Sequence, residues 1–190
     1  VTTVDIEPDF EPNIVADVLD LHWTDLPDAD IITASPPCNA FTVLRIGDNW
    51  EQDDAGRAHP IDDFARTSLQ LVYHTVGLIK AIDPDWWVME NPRGMMRRMF
   101  RPPDYEVWYC QYGAPYPKPT DLWGRLPPSF EPQSCSYGNP FCDHTRASRG
   151  EKKGIQSLSN SAERAMVPYE LSDAIKTSIE HPEPMQSTLI

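Results

Sequence analysis

Two short stretches of the sequence place a reactive side chain directly after a run of apolar residues. In "ITASPPCNAF" the pair Pro36–Pro37 disfavours a helix or a central strand and therefore predicts a rigid corner that holds Cys38. In "WWVMENPRG" the carboxyl group of Glu90 ends a second apolar run. A thiolate attacks carbon made electrophilic, and a carboxyl group can supply the activating proton. Taken alone, each residue also has a structural interpretation. Cys38 could be a small buried residue, and Glu90 could be an acid at a helix N-terminus.

The surrounding pattern predicts the strands that must position these side chains. Apolar runs predict five strands: residues 1–6, 13–19, 28–35, 85–92 and 105–113. The third is expected to be buried, as in a parallel sheet. The stretches 39–60 and 114–160 lack periodicity, and we expect a long loop and a small irregular insertion, respectively.

Helices alternate with these strands, which is typical of a parallel α/β sheet. Apolar residues at spacings of three and four predict a long helix that Asp62 or Asp63 caps and that ends before Pro84. "RGMMRRMF" predicts one or two helical turns, and Pro168 is placed to open a last helix. Ligands bind at the carboxyl ends of parallel strands. One shared site is therefore predicted from the groups at four strand ends: Asp5, Asp17, Cys38 and Glu90.

The composition is that of one globular domain. A chain of 190 residues, 40% of them hydrophobic, can bury one core, and no apolar run reaches the roughly 18 residues of a membrane-spanning helix. The net charge of −13 argues against a nonspecific polyanion binder. Two basic islands are compatible with a local nucleic-acid surface: Arg93, Arg97, Arg98 and Arg101, and then Arg146, Arg149, Lys152 and Lys153.

The four cysteines are expected to be reduced. The sequence has no secretory pattern, so we expect a cytoplasmic protein, or one in the host cytoplasm if it is viral. "CSYGNPFCDH" places Cys135, Cys142 and His144 within ten residues, and these could bind zinc. Their spacing matches no Cys-x2-Cys knuckle and no fourth ligand is evident, so the prediction is structural thiols and no metal, with zinc as the alternative.

Several strings occur in an order that resembles the DNA cytosine-5 methyltransferase family, in a compact form such as phages and archaea carry. They are "VTTVDIEP", "VADVLDL", "SPPCNAF", "WWVMENPRG" and "AERAMVPYELSDAI". The resemblance implies an enzyme with S-adenosylmethionine as cofactor and DNA, with a flipped cytosine, as partner. It implies an α/β fold: a Rossmann-like methyltransferase sheet with a small recognition insertion. No membrane and no obligate protein partner are expected.

The resemblance also implies the role of each site residue. Cys38 would attack C6 of cytosine while Glu90 protonates N3. Asp5 would bind the cofactor ribose, Ile6 would pack on the adenine, Asp17 would accept from the adenine amino group and Pro37 would complete the cofactor site. Asn91, Arg93 and Lys118 would contact the DNA or hold the backbone beside it.

Two features depart from the family pattern. The glycine-rich loop that follows the family's first strand is not found, so we expect an N-terminally truncated chain. Where the family has a Gln-x-Arg-x-Arg string, "YGAPYPKPT" keeps a charge only at Lys118, whose own alternative is a solvated loop lysine. The predicted organisation is a partial catalytic core (1–120), a recognition insertion (121–160), a returning helix (161–180) and a tail (181–190).

Three other functions remain open from the sequence. A catalytically inactive, nucleic-acid-binding relative is favoured by the missing glycine loop and opposed by the presence of both Cys38 and Glu90. An RNA cytosine-5 methyltransferase would use the same Pro-Cys corner. An unrelated thiol-dependent enzyme would need a histidine base near Cys38, and no sequence signal indicates one.

Overall fold

The computed structural model describes residues 1–144 and 161–182, which form a mixed α/β structure. The chain divides into two compact units, Val1–Pro102 and Pro103–Ile190, each with buried apolar residues. The division at residues 120 and 160 stays a prediction. The second basic island and most of the predicted tail lie outside the described residues. Among the described helices, none is long and apolar enough to cross a membrane.

The first unit begins with two very short parallel strands. β1 (Val4–Asp5) pairs with β2 (Ile14–Val15), and both lie within the ranges predicted for the first two strands. Each strand is short because a 3₁₀ turn follows closely, at Pro8–Phe10 and at Val18–Asp20. The pair forms a sheet of its own.

The third strand, β3 (Ile31–Ala34), lies within the predicted range 28–35 but is not buried. Its residues alternate between exposed and half-buried, and Ile31 is 43% exposed. The expectation of a buried strand is therefore wrong. The reason is that β1 and β2 pair with each other and, in the described part of the chain, not with β3.

The stretch 39–60, expected to be a long loop, contains regular structure. The short helix α1 (Ile46–Asn49) leads into an antiparallel hairpin of β4 (Trp50–Gln52) and β5 (Ala58–Pro60). The loop prediction is wrong here because each element is only three or four residues long. Hydrophobic periodicity needs a longer window than that to be detected.

The turn of this hairpin is held by the carboxylate of Asp53. It accepts hydrogen bonds from the backbone N–H groups of Ala55 (3.0 Å) and Arg57 (2.8 Å), from Nε of Arg57 (2.7 Å), and it contacts Nε2 of His59 (3.1 Å). The backbone bond from Arg57, followed by the bond with His59, lowers the pKa of Asp53 to about 2.

The long helix, α2 (Asp63–Ile82), confirms the prediction. The side chain of Asp62 caps it by accepting from the backbone N–H of Ala65 at 2.8 Å. One face of the helix is buried, and it ends at Asp83 in the left-handed conformation (φ 54°), immediately before Pro84. The buried residues are Ala65, Val72, Val76, Leu78 and Ile79.

The strand after α2 confirms both its predicted range and its predicted direction. β6 (Trp86–Pro92) runs parallel to β3, with Ala34 opposite Met89 in the last pair. A single helical turn, α3 (Met96–Met99), follows, as "RGMMRRMF" predicts. The order β3–α2–β6 is therefore a strand–helix–strand unit of the kind that the alternating pattern indicates.

The second unit contains an antiparallel pair of strands. β7 (Tyr105–Trp108) pairs with β8 (Pro119–Arg125). The predicted strand 105–113 is shorter than expected because a 3₁₀ turn at Tyr109–Tyr112 ends it, closed by Gly113 at φ 81°. β8 also corrects the expectation of an irregular stretch from residue 114, since its sequence "PTDLWGR" mixes proline, aspartate and glycine into a strand that is mostly buried.

Two helices complete the described part of the second unit. α4 (Ser161–Ala165) is followed by α5 (Tyr169–Glu180), which Pro168 precedes as predicted. Both strands, the 3₁₀ turn, α5 and the segment after β8 contribute buried residues; among them are Val107, Tyr109, Leu122, Trp123, Phe130 and Leu171.

Candidate active site

The corner that carries Cys38 lies just beyond the end of β3. Pro36 is buried, Pro37 is exposed and Cys38 is half-buried. The carbonyl oxygen of Cys38 accepts hydrogen bonds from the backbone N–H groups of Phe41 (2.8 Å) and Thr42 (3.1 Å). The corner therefore passes directly into a tight turn, which fixes the backbone on both sides of the thiol.

Glu90 lies at the same edge of the adjacent parallel strand. Because Ala34 is opposite Met89, the next residue of β6, Glu90, is level with the start of the Pro-Cys corner. Its side chain is half-buried. The structure thus brings the two predicted catalytic residues to the carboxyl ends of neighbouring strands, where α/β proteins bind ligands.

A side-chain hydrogen bond links the two strand ends. Asn91 is fully buried, and its Nδ2 donates to the carbonyl oxygen of Pro36 at 2.9 Å. This bond satisfies the carbonyl of Pro36, which lies beyond the end of β3. The role of Asn91 in fixing the backbone behind Glu90 stays a prediction.

The backbone of Gly94 and Met95 lies against the turn that follows Cys38. The backbone N–H of Met95 donates to the carbonyl oxygen of Phe41 at 2.7 Å, and Thr42 forms a β-bridge with Gly94. A Cβ atom on Gly94 would lie 2.0 Å from that carbonyl oxygen. Only glycine fits here, a requirement that a single sequence does not reveal.

Trp50, to which the sequence assigns no function, supports the turn after Cys38. Its ring stacks on Phe41 with centroids 5.6 Å apart, and its Nε1 donates to the carbonyl oxygen of Ala40 at 2.7 Å. Trp50 begins β4, so the hairpin is fastened to the Cys38 turn through a buried aromatic pair.

The predicted cofactor residues lie at the ends of the other strand pair. Asp5 ends β1, and its Oδ1 accepts from the backbone N–H of Glu7 at 2.9 Å; Asp17 follows β2, and its Oδ1 accepts from that of Leu19 at 2.9 Å. Both carboxylates are half-buried, whereas Ile6 is 58% exposed. Two oriented carboxylates beside an exposed apolar side chain fit a nucleoside, which offers hydroxyl and amino donors and a flat ring.

The two predicted basic contacts differ in their surroundings. Arg93 is half-buried directly after β6. Lys118 lies in the second unit and is buried, with Nζ 3.0 Å from the carbonyl oxygen of Arg164 and 4.4 Å from the centroid of the Tyr109 ring. The alternative of a solvated lysine is therefore wrong, and any contact of Lys118 with a nucleotide would have to replace these interactions.

Comparison with known proteins gives a family match that lies within the first unit. Residues 8–102 match the family described as C-5 cytosine-specific DNA methylase. The chain is 33% identical over 127 residues to the "Probable DNA (cytosine-5)-methyltransferase" of Frog virus 3 (isolate Goorha). This match covers 64% of the chain and 58% of the viral protein, so the chain spans little more than half of that relative's length.

The chain belongs to the C-5 cytosine-specific DNA methylase family. The matched residues contain most of the predicted site: Asp17, Pro37, Cys38, Glu90, Asn91 and Arg93. Asp5 and Ile6 precede the match, and Lys118 follows it. The family match and the ordered corner therefore concern the same unit of the molecule.

Proposed function

We propose that the protein transfers a methyl group from S-adenosylmethionine to C5 of cytosine in DNA. The observation that carries the proposal is the Asn91–Pro36 hydrogen bond, which ties the Cys38 corner to the strand end that bears Glu90. Family membership supports the same reaction. We also propose that the sheet that carries the site is Rossmann-like.

The reaction begins with activation of the flipped cytosine. Glu90 donates a proton to N3, which draws electrons from C6 and makes that carbon electrophilic. The thiolate of Cys38 then forms a bond to C6. Asn91 would hold the backbone between the two groups, which would act at opposite positions of one ring.

The second half of the reaction restores the aromatic ring. Attack at C6 would leave C5 nucleophilic; S-adenosylmethionine, when bound, would supply the methyl group to C5, and its sulfur would keep the electron pair of the broken S–CH3 bond. A base then removes the C5 proton, the electrons of the C5–H bond re-form the C5–C6 double bond, and the Cys38–C6 bond breaks. N3 returns its proton to Glu90, which leaves the enzyme ready for another cytosine.

Asp5, Asp17 and Ile6 are the residues that would hold the cofactor. The Asp5 carboxylate would accept from ribose hydroxyls and that of Asp17 from the adenine amino group, and Ile6, which is exposed, would pack on the adenine. Pro37 borders the thiol and is exposed, and Arg93 is the candidate for a phosphate or base contact.

Covalent trapping tests the role of Cys38. The last step removes a proton from C5, and a base cannot remove fluorine from the same position. The full-length protein with S-adenosylmethionine should therefore form a stable adduct on duplex DNA that contains 5-fluorocytosine. Cys38→Ala should abolish this adduct on a denaturing gel, while Thr67→Ala, an exposed change on α2, should retain it. An adduct formed by Cys38→Ala would exclude Cys38 as nucleophile.

The same assay separates the proposed substrate from RNA. Duplex DNA and RNA of one sequence, each with 5-fluorocytosine, are compared at equal concentration. Preferential trapping on DNA is expected, and trapping confined to RNA would reassign the substrate. The absence of any adduct on either nucleic acid, with folded wild-type protein, would favour an inactive binding relative.

A further inference from the structure

The second unit brings together four side chains that can ligate a metal ion. The Sγ atoms of Cys110, Cys135 and Cys142 and a ring nitrogen of His144 all lie within 4.8 Å of one another, and each residue is half-buried. All three cysteines are free thiols. We propose that this cluster binds one Zn²⁺ as a structural Cys₃His site, in place of the thiols without metal that the sequence predicts.

The geometry of the cluster is close to that of a zinc tetrahedron. With Zn–S at about 2.3 Å and Zn–N at about 2.0–2.1 Å, neighbouring ligand atoms lie roughly 3.5–3.8 Å apart. In the structure, Nδ1 of His144 is 3.1 Å from Sγ of Cys142 and 3.8 Å from Sγ of Cys135. These two distances differ from the tetrahedral value by a few tenths of an ångström, and no pair in the cluster is separated by more than 4.8 Å.

Cys110 is the ligand that the sequence did not reveal. It lies 25 residues before Cys135, in the 3₁₀ turn after β7, so no short motif contains it. The fold joins the two segments by backbone contacts. The N–H of Trp108 donates to the carbonyl oxygen of Gln133 at 3.0 Å, and the N–H of Gln133 donates to the hydroxyl of Tyr112 at 2.9 Å.

Two side-chain amides are directed at the sulfur atoms. Nδ2 of Asn139 is 3.4 Å from Sγ of Cys135, and Nε2 of Gln111 is 3.3 Å from Sγ of Cys142. Donors of this kind stabilise thiolate ligands, because three thiolates around Zn²⁺ leave a net negative charge. Such outer-shell hydrogen bonds orient the ligands before the ion binds.

The segment that carries three of the ligands contains no regular secondary structure. Between β8 and His144 the chain has no helix or strand, and Phe141 is 95% exposed. A metal ion commonly supplies the stability that such a segment lacks. Four protein ligands fill the tetrahedron and leave no position for water or substrate, so the site is structural.

Metal content tests the proposal without relying on activity. The full-length protein, purified under reducing conditions without chelator, should contain about one zinc per chain by atomic emission. Cys135→Ser and Cys142→Ser should each lower the affinity for Zn²⁺ at least tenfold, as expected for the loss of a ligand. Cys38→Ser, which removes the thiol outside the cluster, should leave the zinc content unchanged.

Two further measurements keep the test decisive if a serine variant fails to fold. His144→Cys retains four ligands and should keep stoichiometric zinc. Removal of zinc from the wild-type protein should lower Tm and expose residues 127–144 to protease, and added Zn²⁺ should reverse both effects. The proposal fails if the reduced protein neither contains nor binds one equivalent of Zn²⁺, or if both serine variants retain it.

Discussion

At the scale of single residues, Glu90 is the group that controls the reactivity of the cytosine ring in the proposed reaction. Glu90→Gln preserves the shape of the side chain but removes the proton that N3 would receive. Methyl transfer should therefore slow by about 10²–10⁴-fold. The measurement is the single-turnover rate of labelled methyl incorporation into duplex DNA, with Tm as the check on folding.

The exposed Glu51 provides the matched control for this change. Glu51→Gln removes an equal charge from β4 and should leave the methylation rate within about twofold, since surface changes of this kind are usually small. A Glu90→Gln enzyme that methylates at the wild-type rate would contradict the acid role of Glu90.

Individual residues differ in how far the sequence reveals them. Cys38 and Glu90 are recognisable because proline and strand patterns surround each of them closely. The sequence does not reveal that Lys118 is buried or that Cys110 lies close to Cys135. Both depend on contacts between residues 25 to 46 positions apart. No local pattern encodes such pairs.

At the scale of elements, the contact between Gly94 and Phe41 sets the geometry of the Cys38 turn. An added Cβ would meet the Phe41 carbonyl oxygen at 2.0 Å and would disrupt its 2.7 Å hydrogen bond with Met95. We expect Gly94→Ala to destabilise the protein by about 1–3 kcal/mol, as overpacking does, and to reduce adduct formation at least tenfold through misplacement of the thiol.

Gly77, in the middle of α2, is the control for this substitution. No atom lies within 4 Å of a Cβ built there, so Gly77→Ala should stabilise the helix by about 0.5–1 kcal/mol. Urea unfolding and trapping on 5-fluorocytosine DNA measure both variants. Equal stability and equal trapping of the two variants would show that the Gly94 contact does not constrain the corner.

The hairpin of β4 and β5 gives a pH-dependent prediction. The pKa of Asp53 is lowered from 3.8 to about 2 by its hydrogen bonds in the turn. Because the folded pKa lies below the unfolded one, the carboxylate stabilises the fold fully above pH 3.8 and ceases to do so as the pH falls to about 2. NMR titration of the Asp53 carboxyl carbon should therefore give a midpoint near 2.

Asp53→Asn and Asp54→Asn separate this turn from general surface charge. Asp53→Asn should speed hydrogen exchange of the backbone amides of Ala55 and Arg57, because both donate hydrogen bonds to the Asp53 carboxylate. Asp54→Asn, at an exposed neighbour, should not. A titration midpoint for Asp53 near 3.8 would mean that the turn bonds do not persist in solution.

The elements that the sequence predicts well are those with long, regular patterns. α2 and β6 match their predicted ranges because 20 and seven residues give a clear periodicity or apolar run. The hairpin and β8 are missed because their pairing is fixed by turn hydrogen bonds and by partners distant in sequence. The exposure of β3 depends on how strands pair, which a single strand's composition does not report.

At the scale of the whole molecule, the family match and the proposed zinc site divide between the two units. Residues 8–102 lie entirely within the first unit, and all four proposed zinc ligands lie in the second. The two proposals therefore rest on different residues, and metal content and covalent trapping test them by separate readouts.

The boundary between the units falls at Pro102–Pro103, and neither residue belongs to a helix or strand. Neither proline has an N–H group that could take part in a backbone ladder. Exchange of coding segments at this dipeptide would interrupt no element on either side, since α3 ends at Met99 and β7 begins at Tyr105. Insertions between Met99 and Tyr105 should therefore alter no residue of a described helix or strand.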